Sequence, residues 1–193
     1  MKMLKGLKRK ALIISFIRKM NKKGSWTGET HIQKCTYFLE NFLNIPMNYN
    51  FILYKHGPFS FDLRDELSSM RADNFIEMQP RIPYGATFLP GNYASVLETK
   101  FVNTIQEYKD RTDFIVEKLA SKSVKELECV ATALYVKKNE KLEDDLKVVN
   151  RIIELKPHIT RPLAEEAVKE LNNYISEARE RKLINDIEQY SAS

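Results

Sequence analysis

Residues 53–63 read LYKHGPFSFDL. A short apolar and aromatic run leads into a Lys-His pair and a Gly-Pro step, the composition of a corner between a strand and a helix. Gly57 lets the backbone turn sharply because it has no Cβ to clash. Pro58 suits the first position of a helix, where its missing N–H would have had no partner anyway. Beyond it Phe59, Leu63, Leu67 and Met70 recur at spacings of four, four and three, which buries one face of a helix ending near Ala72–Asn74. Tyr54 and Phe59 are expected in the core around the corner.

Working outward, Leu7, Ala11, Ile14 and Ile17 mark an amphipathic first helix that Gly24 ends. Thr30-His-Ile-Gln33 has the pattern of a capping box, with Thr27 as a rival cap, opening a second helix that Pro46 stops. Phe51–Tyr54 reads as the strand before the corner. After the third helix, FIEMQP and ATFLP flank the turn RIPYG as a β-hairpin. Three helices followed by a hairpin is the order of a winged helix.

The chain turns helical and glycine-poor after Gly91. A stripe from Tyr93 to Leu119 predicts one long helix or two with a kink. Ser123-Val-Lys-Glu126 is a second capping box. Leu142, Leu146, Val149 and Ile153 define the next helix, and Thr160 caps a last one with its seam at Leu163, Ala167, Leu171, Tyr174 and Ala178. The fold class expected is mainly α, with some α+β character: a winged-helix-like domain over residues 1–91 and a helical extension over 92–193 packed on it.

The formal charge of +5 is unevenly placed. Residues 1–28 carry nine bases and no acid, whereas the rest of the chain holds 22 bases and 26 acids and is net −4. A concentrated positive patch attracts phosphate or an acidic partner, unless it is only a solvated lysine face. The two cysteines, Cys35 and Cys129, form no disulfide framework and no C-x-x-C motif, which points to a reducing cytoplasm. The N-terminal apolar run ALIISFI is seven residues long and is followed by Arg18, Lys19, Lys22 and Lys23, unlike an export signal. No run approaches the roughly 18 apolar residues of a membrane span.

Catalytic constellations are sparse. His31 and Cys35 share a helix spacing, and His56 is the nearest third ligand, but structural zinc wants four ligands and catalytic zinc three. A buried thiol at a helix start explains the pair better. Cys129, among Leu127, Val130 and Ala131, reads as core. Asp144–Asp145 and Asp62 with Asp65 read as solvated helix surface. The six glycines make neither a phosphate loop nor a dinucleotide turn. His158 follows Pro157 with no nameable partner. No catalytic residue, metal or cofactor is therefore assigned.

HIQKCTYFLENFL (31–43), LYKHGPFSFDLRDEL (53–67) and KPHIT (156–160) together resemble the YwgA-like family of uncharacterised proteins, over nearly the whole chain. More distantly, Gln33, Lys34, Tyr37 and Phe38 with Tyr54, Gly57 and Pro58 are similar to the SocA-like, or Panacea, antitoxin domain over roughly residues 10–90. The resemblance implies a helix-turn-helix-like core and a non-enzymatic regulatory role as antitoxin or proteolysis adaptor, with Gln33, Tyr37, Tyr54, Gly57 and Pro58 as its structural motif.

The function expected is that of a non-enzymatic winged-helix DNA-binding transcriptional regulator, with a protein-interaction adaptor or antitoxin-like module as the alternative. A winged-helix regulator would lay its third helix in duplex DNA, using Ser60, Arg64, Ser68 and Arg71, with Arg81 from the hairpin and Lys55 at the corner. Between Pro58 and Asp73, however, four acids face two arginines, a net of −2 that repels a polyanion. Phosphate contacts would then fall to Lys8, Arg9, Lys19, Lys22 and Lys23. A protein-interaction adaptor accommodates the mixed-charge helix more easily, with the C-terminal helices as docking or homodimer surface. An enzyme and a basic helix lying on anionic lipid are the remaining classes.

If Gly57 is architecture, Gly57→Val is expected to lower thermal stability, by about 1–3 kcal/mol for a strained backbone angle, while His56→Ala leaves melting nearly unchanged. Equal losses in calorimetry would contradict that assignment.

Overall fold

The computed structural model describes residues 3–81 and 85–184. It is mainly helical with two small antiparallel hairpins. In chain order the elements are α1 (Leu7–Lys22), α2 (Glu29–Asn41), β1 (Ile52–Tyr54), β2 (Gly57–Phe59), α3 (Phe61–Ala72), β3 (Ile76–Arg81) and β4 (Gly85–Pro90). There follow α4 (Ala94–Lys100), α5 (Val102–Glu107), α6 (Lys109–Leu119), α7 (Val124–Asn139), α8 (Asp145–Leu155) and α9 (Arg161–Glu180). Two compact units result: Met1–Ile52 with Ser60–Ser121, and Leu53–Phe59 with Lys122–Ser193. Positions 91 and 92, where the composition changes, lie between β4 and α4 inside the first unit.

In the first unit α1 is the central element, because Ala11–Ile17 and Met20 are all buried and meet α4, α5, α6 and β4. Phe38 and Phe42 of α2 extend that core, with Phe42 and Phe114 at 6.3 Å between ring centroids. The Gln33 carboxamide positions α3: its Nε2 donates to the Ser60 carbonyl and its Oε1 accepts from the Ser60 N–H, both at 2.9 Å and buried. Ser60 in turn caps α3 by accepting from the Leu63 N–H. One glutamine thus satisfies the backbone of the residue that starts the next helix.

The hairpin β3–β4 pairs Ile76 with Pro90 through Arg81 with Gly85. Residues 82–84 of its expected turn lie outside the described residues. The second unit packs α7, α8 and α9 together, with β2 against α7. Leu127, Val130, Leu134, Val148, Ile152, Val168 and Leu171 fill its interior.

Several expectations are corrected. Gly28, not Thr30 or Thr27, occupies the α2 N-cap. Thr27 is spent on Asn21 and on the Ser25 carbonyl, and Gln33 on Ser60. Pro58 does not start α3; it lies in β2, whose ladder tolerates a residue without an N–H at a two-stranded edge. The Tyr93–Leu119 stripe breaks into α4, α5 and α6 at Phe101 and Tyr108, whose φ angles of −116° and −105° leave the helical range. The helix expected from Leu142 begins at Asp145, because the Asp144 side chain accepts from the Lys147 N–H. Leu146 is 61% exposed and Tyr54 52% exposed, so neither is core. The Ser123–Glu126 capping box forms as read, and Thr160 takes the N-cap position of α9 without a side-chain bond.

Gly57 has φ of 84°, a left-handed angle that a β-branched residue adopts at a cost, which favours glycine at the corner. Gly91 is constrained by contact instead: a Cβ there would stand 2.4 Å from the Asn74 carbonyl oxygen and 3.0 Å from the Ile76 nitrogen. Gly91→Ala is therefore expected to destabilise by about 1–3 kcal/mol in urea unfolding, the range for overpacking a rigid neighbour. An unchanged midpoint would contradict that contact.

Candidate recognition site

Of the basic N-terminal segment, Arg9, Lys10, Arg18 and Lys19 are paired with carboxylates of the first unit. Arg9 donates to the Met47 carbonyl at 2.7 Å, pairs with Glu66 at 2.7 Å and lies 4.3 Å over the Tyr49 ring. The Tyr49 hydroxyl also bonds Glu66, and burial, then the Glu66 charge, push its pKa far up, so it stays protonated. Lys19 donates to Thr112 at 2.7 Å and pairs with Asp113 at 2.6 Å. Burial opposes the Asp113 charge, but Lys109 and Lys19 together hold its pKa below the ordinary value. Lys10 pairs with Asp73 and Arg18 with Glu98.

Ser60 is fully buried and cannot reach a base edge. Arg64 stacks on Phe61 and lies 3.5 Å from Asp65; Ser68 donates to the Arg64 carbonyl; Arg71 meets the Met78 sulfur. Arg81 is exposed on β3, and Lys8, Lys22 and Lys23 are exposed on or next to α1. Lys22 lies in the last turn of α1, where the helix dipole favours a cation.

The corner is built differently, within the second unit. Lys156 is 5% exposed, and its ammonium donates to the carbonyls of Tyr54 and of Lys55, the latter at 2.8 Å. It stands 3.9 Å from a Glu128 carboxylate that is 3% exposed on α7. Burial pushes the Lys156 pKa down and Glu128 opposes the fall. The two exposed imidazoles meet the same carboxylate from outside: His158 Nε2 is 3.1 Å from one oxygen and His56 Nδ1 is 3.6 Å from the other. Two stretches a hundred positions apart, Lys55–His56 and Lys156–His158, are thereby brought to one buried acid.

Sequence reading left His158 without a partner and did not single out Glu128 or Lys156. A signal existed: Glu128 interrupts the apolar run Leu127–Leu134 of a helix buried nearly all round, where an acid needs a counter-charge. The cysteines are placed as expected for core thiols. Burial holds Cys35 protonated, and burial with Glu128 and Glu170 pushes Cys129 up to about 12. Neither is a thiolate nucleophile at neutral pH. Among the described residues no group of three or more His, Cys, Asp or Glu side chains is arranged to hold a metal ion, and no helix is long and apolar enough to cross a membrane. Beside Glu128, the Lys156 ammonium would itself repel a cation.

Comparison of the chain with models of known protein families and with curated proteins found no match.

Removing the acid alone strands a buried ammonium. Glu128→Leu is expected to cost about 3–5 kcal/mol in urea unfolding, with part of the loss recovered on adding Lys156→Met. A single-variant loss below about 1 kcal/mol would contradict the pairing.

Proposed function

We propose that the chain is a non-enzymatic regulatory protein of the reducing cytoplasm that works by binding another protein, as an adaptor or antitoxin-like module. The observation that carries this reading is the internal use of its cations. Duplex binding draws its free energy from lysines and arginines that displace counterions from phosphates. Here Arg9, Lys10, Arg18 and Lys19 are each paired with a carboxylate of the same unit. To hold a phosphate they would first have to leave those partners. The exposed charges of α3 are balanced, Arg64 and Arg71 against Asp62 and Asp65.

The order α1, α2, α3, β3, β4 suits a winged-helix-like scaffold, and such scaffolds bind proteins as well as nucleic acid. The resemblance to the antitoxin domain points the same way: Gln33 and Tyr37 act as architecture, Gln33 at Ser60 and Tyr37 against Phe51 at 5.1 Å. A DNA-binding transcriptional regulator is the second reading. It is favoured by Lys5, Lys8, Lys22 and Lys23, which stay exposed along and beside α1.

Titration of a labelled random duplex at low and moderate salt separates the two. The protein-binding reading expects dissociation constants of roughly 10 µM or weaker near physiological salt, within the non-specific range. It also expects a co-purifying partner that, once identified and purified, rebinds Lys22→Glu/Lys23→Glu protein unchanged. Duplex binding tighter than about 1 µM, lost in that double variant, would establish the second reading instead.

A further inference from the structure

The protein-binding reading lacks a contact surface, and the corner supplies one. Its ionisable groups are sorted by depth. The acid, Glu128, and one cation, Lys156, are buried and satisfied, whereas Lys55, His56 and His158 are exposed, the two imidazole side chains at 58% and 51%. The exposed groups are therefore basic: Lys55 as a cation and two imidazoles that are positive only when protonated. Tyr54, 52% exposed with its ring 5.7 Å from Phe59, and exposed Pro157 add apolar surface beside it.

We propose that Tyr54, Lys55, His56, Pro157 and His158 form a docking patch for an acidic segment of a partner protein, a run of Asp or Glu with an aromatic side chain to lie against Tyr54 and Pro157. This inference rests on the protein-binding reading above. The patch is preorganised. Lys156 fixes the backbone carbonyls of Tyr54 and Lys55, and Glu128 orients the His158 ring, so less ordering entropy remains to be lost on binding. A carboxylate only accepts, so His158 Nε2, 3.1 Å from Glu128, carries the hydrogen. His56 Nε2 and His158 Nδ1 are then the nitrogens left for a partner. A doubly protonated imidazole donates from both nitrogens, which matches a partner carboxylate facing the outward one. The buried pair also has a use here, since Glu128 and Lys156 cost desolvation that an apolar pair would avoid. Tyrosine is among the side chains enriched where binding energy concentrates.

The test uses the full chain and fluorescence anisotropy with two labelled probes, the peptide Glu-Glu-Tyr-Glu-Glu and its counterpart Lys-Lys-Tyr-Lys-Lys. The acidic peptide is expected to bind and the basic one not to. Lys55→Glu, and separately His56→Ala/His158→Ala, are expected to weaken the acidic peptide by about tenfold or more. Lys22→Glu/Lys23→Glu is expected to leave it within about twofold. Lys55→Glu alters one exposed side chain, so it stays informative should the histidine variant unfold, and circular dichroism melting checks each. No binding of the acidic peptide, equal binding of the basic one, or a loss confined to the α1 variant would overturn the patch. Those results leave the protein-binding reading standing, which falls only to tight duplex binding.

Discussion

The ammonium of Lys156 is the group on which the second unit is organised. It sits buried, 5% exposed, between two backbone carbonyls of a corner that precedes it by a hundred positions and a carboxylate on α7. A buried cation is tolerable only when it is hydrogen-bonded and its charge is answered, and here two carbonyls accept from it and a carboxylate stands 3.9 Å away. Leu53–Phe59 belongs with α7, α8 and α9 by compactness and not with its chain neighbours. The Lys156 bonds and the packing of β2 on α7 supply the physical reason.

The first unit solves a similar problem with neutral groups and surface ion pairs. Gln33 closes both backbone groups of Ser60, and Arg9 draws Met47, Tyr49 and Glu66 together. The net positive N-terminal segment is thus less a free cationic surface than its count of lysines and arginines suggests. Charges that in sequence read as an invitation to phosphate serve in part as mortar between α1 and the acids of α3, α4 and α6. Outward in the first unit there remain a few lysines along α1 and the balanced arginines and aspartates of α3.

Local signals were legible where the responsible groups lie within a few residues. The Ser123–Glu126 box, the β3–β4 hairpin and the buried stripe of α1 follow from spacing alone. Tertiary partners were not. Gln33 looks like the end of a capping box until Ser60 arrives from 27 positions away, and Thr30 then has no capping role because Gly28 takes it. The Tyr93–Leu119 stripe keeps helical periodicity across Phe101 and Tyr108, so its breaks are invisible to period counting. Pro58 satisfies the rule for a helix start and equally the rule for a strand edge; the Lys55–His56 turn decides between them. Glu128, Lys156 and His158 were legible one at a time as misplaced polar groups, and only the fold shows that they answer one another.

The corner's polar groups are engaged and the nearby Cys129 thiol is protonated, while its exposed side chains stand on a backbone held by Lys156. The most direct measurement of that claim is nuclear magnetic resonance detection of the Lys156 ammonium in isotopically labelled protein. A slowly exchanging ammonium with through-hydrogen-bond correlations to the carbonyl carbons of Tyr54 and Lys55 is the result this structure requires. A rapidly exchanging, solvent-averaged ammonium without those correlations would contradict it.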